Sequence, residues 1–246
     1  MKKKPLIIVL ALVLVGAVGC ITTQPQTPQN IVLTIKAIDQ PVEIAKESAK
    51  DSKDVVSKSM VIENPEGTLS NISFICRGKG YLKIWGGLSV FDAQNVWNDI
   101  VVMTTEYGIT EIHIFLNSPG GDAFSGLALA DEIQRAERNG CNVIAHASGI
   151  VASAAVPVFA ACSQRIAAPG TIFMVHEASL WKMFAQEKAK DLESQLEMMN
   201  LLQDKYLSLM AAHSKLSKKQ WKDFEAKTTW FSAEKAKEWG LVDKIE

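Results

Sequence analysis

From about residue 72 onward, short apolar runs alternate with segments of helical period, and glycine punctuates many of the joints. Few architectures satisfy that alternation. A strand followed by a helix and then another strand returns to the same sheet, which builds a mostly parallel sheet flanked by helices. The spacing predicts strands over 81–85, 111–116, 142–147, 165–167, 171–175 and 241–245. It predicts helices over 92–107, with Asp92 as cap and Gly108 as stop, over 125–138 and over 151–161, the last made of small residues and containing Pro157. A long helix over 183–213 carries Leu192, Leu196, Met199, Leu202, Tyr206 and Leu209 near helical spacing, a stripe that fits the core or a neighbouring subunit. Ser217 and Gln220 form a capping box before a short helix to Lys227, and a last helix over 233–239 ends at Gly240.

The first twenty residues are a separate object. Lys2, Lys3 and Lys4 precede an apolar stretch over 6–18 that ends in Ala17-Val18-Gly19-Cys20. A basic start, a short apolar run and small residues describe a secretory signal, too short for a membrane span. The cysteine behind the small residues resembles a bacterial lipoprotein signal, in which Cys20 is the lipidated residue; Ala17 stands where that motif usually carries leucine. Residues 21–71 read as a polar linker and spacer, rich in Thr, Gln and Pro at first and in Lys, Glu, Asp and Ser later. That leaves 72–246 as the folded domain, and with 48% of the 246 residues hydrophobic the chain has enough apolar mass for one full core.

Charge and cysteines narrow the function classes. The net charge is −1, so no basic excess points to nucleic acid. Cys76, Cys141 and Cys162 show no metal-ligand spacing and are an odd number for a disulfide framework, which leaves room for one disulfide at most. No metal or cofactor is expected.

Two segments about thirty residues apart carry the chemistry. Asn117-Ser118-Pro119-Gly120-Gly121-Asp122 follows a strand and makes a turn whose backbone N–H groups can face a ligand. Gly149-Ile150-Val151-Ala152-Ser153-Ala154-Ala155 places a serine where a loop meets a helix, and Val175-His176 follows. A serine hydroxyl is a poor nucleophile until a base takes its proton, so Ser153, His176 and the glycine turn are the parts of an acyl-transfer site.

Taken together, the strand with Gly86-Gly87, the 117–121 turn, Ala152-Ser153-Ala154, Met174-Val175-His176 and the stretch from Phe231-Ser232-Ala233 to Gly240-Leu241-Val242-Asp243 resemble the proteolytic subunit of the Clp protease, in the ClpP/crotonase superfamily. The resemblance implies an α/β fold of repeated ββα units with a mostly parallel sheet and a protruding long helix. It implies Ser153 as nucleophile, His176 as general base, and the Gly121 and Ala154 amides as oxyanion hole. It implies a peptide or unfolded protein as substrate and a homo-oligomeric ring. The family's third member, an aspartate, falls at Thr228 here, with Glu225, Asp223 or Glu177 as substitutes.

The expectation is therefore a serine-type peptidase working through an acyl-enzyme, lipid-anchored on the outer side of a bacterial membrane. The alternatives are a catalytically weakened binding or scaffold lipoprotein of the same fold, a crotonase-type acyl-CoA enzyme, and a Ser/Lys peptidase using Lys182, Lys188 or Lys190. His113 and His146 fall within strands and read as core or interface residues; His213 ends a helix and reads as solvent-facing.

Overall fold

Two neighbouring central strands alternate with period two, and each buries one set of side chains. Leu82 and Ile84 lie inward on one strand, and Ile112, Ile114 and Leu116 lie inward on the next. The structure, a computed structural model, describes residues 62–63, 68–70, 72–179 and 189–246. Cys20 with its signal, most of the 21–71 stretch, and Lys182 and Lys188 lie outside the described residues. No helix among the described residues is long and apolar enough to cross a membrane.

Among the described residues nine strands form one sheet: β1 (Ile62–Glu63), β2 (Ser73–Cys76), β3 (Lys79–Trp85), β4 (Glu111–Ser118), β5 (Asn142–Ala152), β6 (Gln164–Ala167), β7 (Ile172–Val175), β8 (Thr229–Ser232) and β9 (Lys244–Ile245). The path β1-β2-β3-β4-β5-β6-β9 is parallel from β3 onward, with β1 and β2 added antiparallel. Strand β5 has two partners along its far edge. Its first half pairs β6 at Ile144–Ala147 and its second half pairs β7 at Ile150–Ala152, and β8 closes antiparallel on β7. Helices α1 (Val90–Thr105), α2 (Ala123–Arg138) and α3 (Ala155–Ala160) pack in sequence. Helix α4 (Ala189–Ala212) packs on α2, α3 and α5 (Lys218–Glu225), and α6 (Ala233–Glu238) follows. The mostly parallel α/β sheet and the long helix are those the sequence implied.

Several boundaries differ, each for a local reason. Helix α1 starts earlier than Asp92, because Ser89 is the cap and Asp92 is its partner in a capping box: Ser89 Oγ accepts from Asp92 N at 3.1 Å and the Asp92 carboxylate accepts from Ser89 N at 3.3 Å. Asp122 caps α2 through Ser125 N at 2.8 Å, so that helix starts at Ala123. The helix predicted over 151–161 is only α3; residues up to 152 stay in β5, because β4 and β7 both pair with them. The strand predicted over 241–245 shrinks to β9, since the Leu241 and Val242 amides bond back to Ala236 O at 2.9 and 3.3 Å and finish α6 instead.

Strands β1 and β2 were not read from the sequence, and β1 lies within the stretch read as spacer. A buried Asp99 on α1 anchors this region: it accepts from Ser70 N at 2.9 Å and from the Ser70 and Ser73 hydroxyls. Cys76, Cys141 and Cys162 are all buried free thiols, so no disulfide forms among the described residues. Burial pushes the Cys141 thiol up to about 11 and Cys162 higher still. His213 is half-buried rather than solvent-facing; its ring meets Gln134 Nε2 at 3.0 Å, and burial lowers its pKa.

Candidate active site

The site begins with an irregularity between β4 and β5. Their register runs Leu116↔Ala147 and then Ser118↔Val151, so β5 carries extra residues where β4 carries Asn117. Such a bulge bends a strand and re-aims the residues beyond it. The Asn117 side chain mends the gap, its Oδ1 accepting from Ile150 N at 3.0 Å. A Cβ on Gly149, which has φ +70°, would meet that oxygen at 2.7 Å, so glycine is required there. Beyond the bulge β5 delivers Ser153 to a tight turn. Ser153 has φ 53°, left-handed backbone that costs a non-glycine residue roughly 1–3 kcal/mol and persists where the surroundings hold it. Here Ser153 N donates to Met174 O at 2.9 Å, while Ser153 O accepts from Val156 N at 3.0 Å and from the Tyr206 hydroxyl at 3.3 Å.

His176 arrives from the neighbouring strand. Ala152 pairs with Met174, so the residue after Ala152 and the one after Val175 leave the sheet side by side. His176 Nε2 lies 2.8 Å from Ser153 Oγ, within reach for proton transfer. The glycine turn completes the arrangement. Leu88 N donates to Gly120 O and Asp122 N donates to Leu88 O, both at 2.8 Å, which clamps the turn from outside. A Cβ at Gly120 would strike Ala152 O at 2.5 Å and Ser153 Cβ at 2.7 Å; one at Gly121 would strike Leu88 O at 2.2 Å. Among the described residues the amides of Gly121 and Ala154 bond no backbone carbonyl. Both residues line one cleft with Ser153 and His176, of about 440 Å³.

The third member is where sequence and geometry part. The ladder ends at Val175↔Thr229, so His176 and Thr228 are the first residues beyond it on the two strands. Thr228 is exposed with φ 50°, and its amide donates to Glu225 O at 3.0 Å. Among the described residues no side chain bonds His176 Nδ1. Asp223 and Glu177 are exposed, as is Lys190. Glu225 lines the cleft and is buried, yet its Oε2 accepts from Gln203 Nε2 rather than from the histidine. Burial first, and the charge of Glu177 second, push the Glu225 carboxyl up to about 8. The sequence reading missed Gln203, whose Oε1 accepts from Ala178 N at 3.2 Å just beyond His176, and Tyr206, taken as part of a core stripe. A polar Gln inside that apolar stripe was the available signal.

His113 and His146 fall outside the cleft. They lie half-buried on the other sheet face in a row of stacked rings, Phe74, Tyr81, His113, His146 and Phe115, with His113 Nδ1 and His146 Nε2 2.9 Å apart. Among the described residues no three His, Cys, Asp or Glu side chains gather to hold a metal.

Comparison with known proteins agrees with this fold. The chain is 29% identical over 136 residues to the ATP-dependent Clp protease proteolytic subunit of Bacteroides fragilis, covering 55% of this chain and 63% of that one. It is 28% identical over 155 residues to proteolytic subunit 1 of Streptomyces avermitilis, covering 62% and 69%. The chain thus spans less than two thirds of the first of these relatives. A mutant ClpP1 from Listeria monocytogenes shares the fold, with a TM-score of 0.58, 23% identity and coverage of 68% of this chain and 90% of that one. The sequence profile described as Clp protease matches residues 79–246, which take in β3 to the C-terminus, the serine turn and His176, and on that match the chain belongs to the Clp protease family.

Proposed function

We propose that this chain is a serine peptidase that cleaves peptide bonds through an acyl-enzyme on Ser153. The observation that carries the reading is the 2.8 Å contact between Ser153 Oγ and His176 Nε2, in one cleft with the Gly121 and Ala154 amides. His176 takes the hydroxyl proton as Ser153 attacks, and returns it to the leaving amine. The two amides meet the oxyanion as its charge develops, and loss of one such donor costs roughly 3–4 kcal/mol of transition-state stabilisation. Water then releases the acyl group with the same histidine as base.

The assembly reading is a homo-oligomeric ring. Val90, Phe91 and Trp97 on α1 and Leu192, Leu196 and Leu201 on α4 are exposed, more apolar surface than a lone subunit hides. Lipidation at Cys20 would tether the ring to the outer side of a bacterial membrane, where short or already unfolded peptides are the substrates. A second reading, a binding or scaffold lipoprotein of this fold, is favoured by one observation: among the described residues no carboxylate bonds His176 Nδ1. Fluorophosphonate labelling of the full-length protein separates the two. Labelling that disappears in Ser153→Ala and His176→Ala supports the peptidase; an unlabelled wild type supports the scaffold.

A further inference from the structure

We infer that Glu225 and the apolar walls around it form a pocket for a basic side chain, so that the substrate carries lysine or arginine on the acyl side of the cleaved bond. The inference rests on the peptidase reading of Ser153. Glu225 is 1% exposed and lines the same cleft as Ser153, His176 and the two amides that would hold the scissile carbonyl. The side chain of the residue owning that carbonyl therefore shares a continuous cleft with Glu225. Gln203 satisfies Oε2 alone, and Oε1 is buried with no partner among the described residues. A buried polar atom without a partner is costly, and natural structures retain few.

The surroundings select a cation. Phe124, Met199, Leu202 and Tyr206 line the cleft and offer apolar surface to the methylene stem of lysine or arginine. Glu177 adds a second negative charge felt by Glu225. Among the described residues neither glutamate has a lysine, arginine or histidine at ion-pair distance. Tyr206, the other titratable group coupled to Glu225, has its own pKa raised by burial and then by Glu225, so it supplies no positive charge. Burial and the Glu177 charge keep Glu225 largely protonated near neutral pH; an ammonium or guanidinium would supply the missing donor and draw the carboxyl back to its charged form. An aliphatic side chain of the same length leaves Oε1 unmet, and that difference is the specificity.

The test uses two peptides that differ only in lysine or norleucine on the acyl side. Calorimetry on full-length Ser153→Ala protein measures binding without turnover. The lysine peptide is expected to bind at least about tenfold more tightly, and Glu225→Gln is expected to erase the gap. Equal affinities on the Glu225 protein overturn the inference, and that comparison needs no Glu225 variant to fold. A gap that survives in folded Glu225→Gln overturns it too. Fluorophosphonate labelling of wild type reads the peptidase separately: an unlabelled serine with an intact lysine preference removes the peptidase and keeps the pocket.

Discussion

Restoring a carboxylate opposite His176 is the most direct probe of this site. Position 228 is the next residue beyond the last β7–β8 pair, Val175↔Thr229, as His176 is on the other strand, and Thr228 occupies left-handed backbone with φ 50°. A β-branched residue is a poor occupant of that region, whereas aspartate and asparagine tolerate it. Thr228→Asp therefore changes two things at once. It relieves about 1 kcal/mol of backbone strain, worth roughly 2–4 °C in Tm for a domain of this size. It also offers His176 Nδ1 a negative acceptor that fixes the tautomer and stabilises the imidazolium. Loss of a triad carboxylate costs about 10⁴ in kcat, so even partly correct geometry should raise the rate about tenfold or more. Thr228→Asn is the control, since it shares the strain relief and lacks the charge. The assay is the second-order rate of fluorophosphonate labelling beside a thermal melt. Both variants should gain Tm, and only the aspartate should gain rate. Equal labelling rates for aspartate, asparagine and threonine in folded protein would refute the argument that the missing charge limits His176.

The same geometry sets three further outcomes. Gly120→Ala places a methyl 2.5 Å from Ala152 O at φ +87°, and it should abolish labelling and lower Tm, read by melting and circular dichroism. Tyr206→Phe deletes the hydroxyl bonded to Ser153 O at 3.3 Å; about 1 kcal/mol of stability should be lost in urea unfolding, with a slower labelling rate because the serine turn loses a restraint. The Glu225 carboxyl is raised from 4.5 to about 8 by burial and by Glu177, so the folded state holds a proton that the unfolded state releases. That contribution is full below about pH 4.5 and is lost as pH rises to about 8; urea unfolding should show falling stability across this window, and Glu225→Gln should flatten it.

The pair at the heart of the site was legible because its signals are local. A strand, a Gly-Gly turn, a serine among alanines and a histidine after an apolar strand each stand in a few residues. What the sequence hid depends on partners far along the chain. Ile150-Val151-Ala152 suits a buried strand or a helix of small residues equally, and pairing with both β4 and β7 decides it. Asn117 reads as a turn residue until the register shift shows its oxygen mending a broken ladder. Glu225 sits two residues from exposed Asp223, and only the packing of α4 against α5 buries the one and leaves the other in water. The burial of Asp99 rests on distant partners too; the serines that satisfy it come from the stretch read as spacer and from the strand just after it.

The closing of β8 on β7 also sets an order in time. The segment carrying His176 is held on one edge by the serine strand and on the other by residues 229–232, near the C-terminal end. During synthesis the serine strand and the glycine turn are complete long before that last partner exists. A growing chain therefore carries Ser153 before His176 is held in place, and truncation before β8 should leave a protein with the glycine turn, Ser153 and His176 and no acylation.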